Sequence, residues 1–134
     1  MTLRFRTTAH KQCLEITEEV RAVVREAGVR QGLCHVSVLH ATAAIVVNEN
    51  DDPNIGVDLL TALDRAIPDH AGWLHDRVDG NAQAHIKAAV LGPSETIAIR
   101  DGDLLLGTWQ GIILVELDGP RAERRVVVTI VPGV

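Results

Sequence analysis

Three histidines carry the first chemical suggestion in this chain: His40 where an apolar run breaks, His75 in a polar stretch, and His85 on a helical one. Three neutral imidazoles with an open fourth position make the usual catalytic zinc arrangement. No local signature such as HExxH accompanies them, so spacing alone leaves open three unrelated histidines, each satisfied by a hydrogen bond. Asn48, Glu49, Asn50, Asp51 and Asp52 follow an apolar run directly and offer oxygen to a hard cation or a substrate. A polar turn with a helix cap explains Asp52 and leaves Glu49 less well accounted for. Asp76, beside His75, suits a base or a carboxylate that orients an imidazole, and suits equally a solvated loop pair.

Gly107-Thr108-Trp109-Gln110-Gly111 is neither a P-loop nor a dinucleotide fingerprint. Trp109 and Gln110 offer a stacking face and an amide; the plainer reading is a bulge between strands with a core tryptophan. For an anion, the cations are Lys87, two residues past His85, and the Arg121, Arg124, Arg125 group. Arg124 and Arg125 read more simply as a solvated hairpin end. No serine elbow or reactive-cysteine context is visible.

The elements that must position these groups follow from periodicity. Residues 2–9 alternate as a strand, with Leu3 and Phe5 on one face. Thr17 is an expected N-cap for a helix carrying Val20, Val23, Val24 and Ala27 inward, stopped by Gly28. Strands follow at 33–40, with Val36, Val38 and His40 on one face, and at 43–49. Asp52 and Pro53 read as N-cap and N1 of a second helix with Ile55, Leu59, Leu60 and Leu63 buried, ending by Pro68. Residues 69–79 read as a loop. Asn81 caps a third helix with Ala82, Ile86, Ala89 and Val90 inward, and Gly92-Pro93 stops it. Strands at 94–100, 104–106, 112–117 and 125–131 complete an α+β fold with a largely antiparallel sheet.

At 134 residues, with 46% hydrophobic and 23% charged, the chain is expected to form one domain over residues 1–134. A formal net charge of −5 and three aromatic residues (two Trp, one Phe) disfavour a nucleic-acid partner, which needs phosphate-binding cations and stacking faces. Cys13 and Cys34 are too few for a disulfide framework and read as reduced thiols of a cytoplasmic protein. The N-terminus lacks the pattern of a signal peptide, and no apolar run approaches a membrane span.

The run from His40 to Pro53, then His75-Asp76, Ala84-His85-Ile86-Lys87 with Leu91-Gly92, and Gly107-Thr-Trp-Gln-Gly-Ile, resembles the YjbQ family over nearly the whole chain. That resemblance implies an α+β fold with about three helices and a mixed, largely antiparallel sheet folded on itself, and a homotrimer. It implies a divalent metal, zinc or magnesium, on His40, His75 and His85. It also implies a thiamine-phosphate synthase activity, in which a hydroxymethylpyrimidine diphosphate joins a thiazole phosphate and pyrophosphate leaves. Such a reaction needs a departing anion neutralised and two rings aligned. Glu49, Asp76 and Lys87 are the expected catalytic residues. Thr42, Asn48, Asn50, Thr108, Trp109, Gln110 and Arg121 are expected to bind a small phosphorylated metabolite. Many relatives read His-Thr-Ser or His-Thr-Thr where this chain has His40-Ala41-Thr42, so one hydroxyl is missing. The alternatives are another metal-dependent enzyme, such as a hydrolase using a metal-bound water, and a non-catalytic metabolite-binding trimer.

Overall fold

The computed structural model describes residues 1–133. In chain order the elements are β1 (Thr2–Phe5), β2 (Gln12–Glu15), α1 (Thr17–Ala27), β3 (Gln31–Val38), β4 (Ala43–Glu49) and α2 (Pro53–Ala66). A 3-10 turn (Leu74–Arg77), α3 (Ala82–Leu91), β5 (Ser94–Arg100), β6 (Asp103–Leu104), β7 (Gln110–Glu116) and β8 (Arg124–Pro132) follow. The strands form a five-stranded sheet ordered β1-β8-β3-β5-β6 and a three-stranded sheet ordered β2-β7-β4. Every pairing among the described residues is antiparallel. This is the expected α+β architecture with three helices.

β7 is the strand around which the layers assemble. Gly111 through Glu116 are all buried, so both of its faces are covered. Ile112 and Leu114 face a core shared with the larger sheet and α1, where Val20, Val24, Val36, Val126 and Ile45 are fully or almost fully buried. Ile113 and Val115 face the opposite way, into a smaller cluster with Ala44, Ala84 and Ala88 beneath α3. Burying each such aliphatic side chain stabilises the fold by about 1.5–3 kcal/mol. A strand buried on both faces loses the alternation that marks a half-exposed one.

Several local expectations change. Thr17 is the first helical residue of α1 and Ile16 the N-cap. The Thr17 hydroxyl accepts a hydrogen bond from the Ile112 amide at 2.8 Å, tying α1 to β7. β2, a four-residue edge strand, was not expected. α2 is capped as expected, Asp52 accepting from the Asn54 amide at 2.9 Å, yet none of its residues is fully buried. In α3 the inward residues are Ala82, Gln83, Ala84, Lys87 and Ala88, while Ala89 and Val90 are exposed. Asn81 makes no side-chain cap; instead Asp76 Oδ1 accepts from the Ala82 amide at 3.0 Å. No helix among the described residues is long and apolar enough to cross a membrane.

Candidate active site

His40 lies in the turn between β3 and β4, and His85 lies on α3. Two backbone bonds fix that helix against the turn: Val38 N–H to the Pro93 carbonyl at 2.9 Å and Ile45 N–H to the Gly92 carbonyl at 3.2 Å. Between them is an open cleft of about 290 Å³ lined by His40, Ala41, Ala43, His85, Ala88 and Pro93. Ala41, where the resemblance leads one to expect a hydroxyl, is part of this lining and leaves the wall apolar. His75, from the 3-10 turn, packs edge-on against His85, with ring centroids 4.8 Å apart and planes at 82°. The three histidines thus share one neighbourhood, linked pairwise through His85.

The floor beside His40 is a buried ion pair. Arg124 is 3% exposed and Glu116 is fully buried. Arg124 Nε donates to Glu116 Oε1 at 2.9 Å, and its Nη2 bonds Glu116 Oε2, the Thr42 hydroxyl and the Thr42 carbonyl. Glu116 also accepts from the Thr7 hydroxyl at 2.7 Å and the Asp118 amide at 3.1 Å. Burial opposes this carboxylate's charge, but the bonds from Arg124, Thr7 and Asp118 outweigh it and hold its pKa below the usual glutamate range. The solvated hairpin end expected for Arg124 is therefore corrected. The sequence signal for this pairing is Glu116, an acid closing the apolar run Ile112-Ile113-Leu114-Val115, which needs a buried partner. Thr42, expected to touch substrate, is 6% exposed and binds Arg124.

His40 Nε2 accepts the Arg125 amide at 2.9 Å. Burial, and then the positive charges of Arg124, Arg125 and Arg121 opposed by Glu116, lower the His40 pKa below its ordinary value. His40 is accordingly neutral at neutral pH. Because the folded chain disfavours its protonation, the associated stability is complete above the ordinary histidine pKa and declines as pH falls below it.

Other expected residues lie elsewhere. Lys87 is two positions from His85, nearly opposite on the helix. It is 1% exposed, its Nζ 2.5 Å from Asp64 Oδ1. Lys11 Nζ shares that carboxylate at 2.7 Å, and burial's upward push on the Asp64 pKa is outweighed by these two lysines. Asp76 caps α3 through Oδ1, while its buried Oδ2 has no hydrogen-bond partner among the described residues and stands 3.7 Å from His70 Nδ1. Arg121 folds back on Asp118, its Nε on the Asp118 carbonyl and its Nη2 on the carboxylate. The Cys34 thiol is pushed up to about 11 by burial, consistent with an unreactive core cysteine.

Glu49 is at the far end of β4 from His40, and seven strand residues span roughly 20 Å. Within one chain the two do not meet. Glu49 instead shares a pocket of about 160 Å³ with Glu15, Asn50, Asp52 and Cys13. The 107–111 segment borders this end: the Asn50 amide donates to the Trp109 carbonyl at 3.1 Å, and Asn48 pairs with Gly111. Trp109 is 61% exposed, so the core tryptophan of the plainer reading is not found, and Thr108 is exposed beside it. Gln110 Oε1 accepts from the Gly107 amide at 2.8 Å. A Cβ on Gly111 would stand 2.7 Å from Asn50 Cβ and 3.0 Å from Glu15 Oε1. Gly111→Ala is expected to lower stability by about 1–3 kcal/mol in urea unfolding, because packed strands cannot part freely there.

Among the described residues no three His, Cys, Asp or Glu side chains converge as donors to one ion. His75 and His85 are neighbouring imidazoles, the donor type a divalent metal such as zinc takes, with Asp79 Oδ2 3.8 Å from His75 Nε2. His40 does not join them, since the lone pair of Nε2 already holds the Arg125 proton.

Comparison with known proteins agrees with this architecture. The family model described as UPF0047 protein YjbQ-like matches residues 1–133. The UPF0047 protein YugU of Bacillus subtilis is 39% identical over 123 residues, covering 90% of each chain. A crystal structure of a YbjQ-like protein from Sulfolobus solfataricus P2 superposes with a TM-score of 0.96 at 38% identity, covering 99% of this chain and 96% of that one. A YugU ortholog from Clostridium acetobutylicum gives 0.94 at 43% identity, covering 98% and 99%.

Proposed function

Because the chain belongs to the YjbQ-like UPF0047 family, we propose that the His40–His85 cleft is the active site of an enzyme acting on a small phosphorylated metabolite. The observation that carries this reading is a cleft lined by His40 and His85, with Arg125 beside His40: its amide bonds the ring and its side chain is not engaged by Glu116 or Asp118, which pair Arg124 and Arg121. Neutral imidazole and guanidinium groups suit the oxygens of a phosphate or pyrophosphate. The apolar wall of Ala41, Ala43 and Ala88 suits the body of a ring.

The reaction we assign is thiamine-phosphate synthesis. The bond from the pyrimidine's methylene carbon to the diphosphate oxygen breaks, and the electron pair leaves with pyrophosphate. The thiazole nitrogen supplies the pair for the new carbon–nitrogen bond. The protein's part is to neutralise the leaving anion and align the rings. His85 and His75 would hold a divalent ion, with zinc better suited than magnesium to nitrogen donors. Such an ion would supply charge neutralisation to a departing anion. His40 faces the oxygens of that anion from the turn, and Arg125 extends the positive surface. Lys87, inside its pair with Asp64, supports α3 beneath His85.

A homotrimer accompanies this reading. Its support is the exposed apolar side chains of this region, Val57 on α2, Leu74 on the 3-10 turn, Val78 just after it and Val90 on α3, together with an α2 that buries nothing fully. Both cysteines are free, in keeping with a cytoplasmic enzyme. The test is pyrophosphate release from the two phosphorylated substrates by purified protein whose metal content is measured. Release that requires both substrates supports the assignment; release from the diphosphate alone indicates a hydrolase, and no release with either removes the reaction.

A further inference from the structure

At the end of the β3–β8 pairing, a side chain takes over from the backbone. The ladder's last pair is Val38 with Val126. One step on, the Leu39 amide still donates to the Arg125 carbonyl at 3.1 Å, but the Arg125 amide finds a ring nitrogen, His40 Nε2, at 2.9 Å. Arg124 next door is locked to Glu116 and Thr42, so the amide that meets His40 is carried by a fixed strand start.

This geometry determines the tautomer. A nitrogen that accepts a hydrogen bond has a free lone pair, so the proton of neutral His40 sits on Nδ1. Turning the ring over would set a carbon-bound hydrogen against the Arg125 N–H and leave that amide without an acceptor. A neutral imidazole bound to metal through Nδ1 would carry its proton on Nε2, donor against donor. Binding through Nε2 would displace the Arg125 bond. Neither nitrogen is free to ligate in this conformation, whereas Nδ1–H has no partner among the described residues. We propose that His40 is a hydrogen-bond donor, presenting Nδ1–H to an oxygen of an anionic ligand in the cleft, and not a metal ligand. The proposal rests on the reading of the cleft as an anion site, but the tautomer itself is independent of any turnover.

The experiment is ring ¹⁵N–¹H correlation on ¹⁵N-histidine-labelled full-length protein at about pH 8, above the ordinary histidine range. Comparison with His40→Gln assigns the signals. The expected spectrum shows His40 protonated on Nδ1. Added Zn²⁺ is expected to shift His75 and His85 while the His40 tautomer persists, and added inorganic phosphate to shift His40 Nδ1. A proton on Nε2, movement of a His40 nitrogen to a metal-bound shift with zinc, or a His40 signal indifferent to phosphate would each overturn the proposal. Failure of pyrophosphate release with the tautomer intact would instead count against the assigned reaction.

Discussion

Arg124→Met is expected to destabilise the protein by about 3–5 kcal/mol, the cost of leaving one member of a buried ion pair alone. Glu116 would keep only the Thr7 hydroxyl and the Asp118 amide as donors, in a site with no exposure to water. Urea unfolding checks the size. The pH dependence checks the cause. In the intact protein the Glu116 pKa is depressed, so its contribution is complete above the ordinary glutamate pKa and is lost as pH falls through the depressed one. In Arg124→Met, burial without the guanidinium favours the protonated acid, so the penalty shrinks toward acid pH. The double variant Glu116→Leu/Arg124→Met should recover part of the loss, because a buried pair exchanged for apolar side chains is often nearly neutral. Recovery stops short of complete because Thr7 and Thr42 lose their partners.

His85→Ala is expected to lower the rate of pyrophosphate release about 10²–10³-fold, the range for losing one positioned group that stabilises developing charge. The same change should leave stability nearly intact. His85 is half-buried and on a helix where alanine is favourable, so what it gives up is mainly the edge-on contact with His75, about 0.5–1.5 kcal/mol. Steady-state kinetics beside a thermal melt separates the two effects. A stable variant with an undiminished rate would remove His85 from the reaction.

Where one physical pattern dominates, the chain is readable by eye. β4 appears at residues 43–49 as expected, because a β-branched apolar run is bounded by His40-Ala-Thr and Asn48-Glu-Asn. Asp52 and Pro53 start α2 for reasons local to themselves. His85 borders both His75 and the cleft of His40, a proximity that nothing in the spacing of the three residues requires. The inward face of α3 differs from the expected one because a lysine ordinarily faces solvent, and the partners of the buried Lys87, Asp64 with Asp69 at 4.0 Å, lie far from it in the chain. Arg124 and Glu116 conceal each other in the same way. The separation of Glu49 from His40 follows from β4 running straight between them, which adjacency in sequence hides.

The most direct measurement is a crystal structure of the protein with pyrophosphate, the proposed leaving group, bound. The cleft between the β3–β4 turn and α3 should hold it, with an oxygen within hydrogen-bond distance of His40 Nδ1 and His85 close by. Pyrophosphate bound only at the other end of β4, beside Asn50 and Trp109, would contradict the placement of the active site at the histidine cleft.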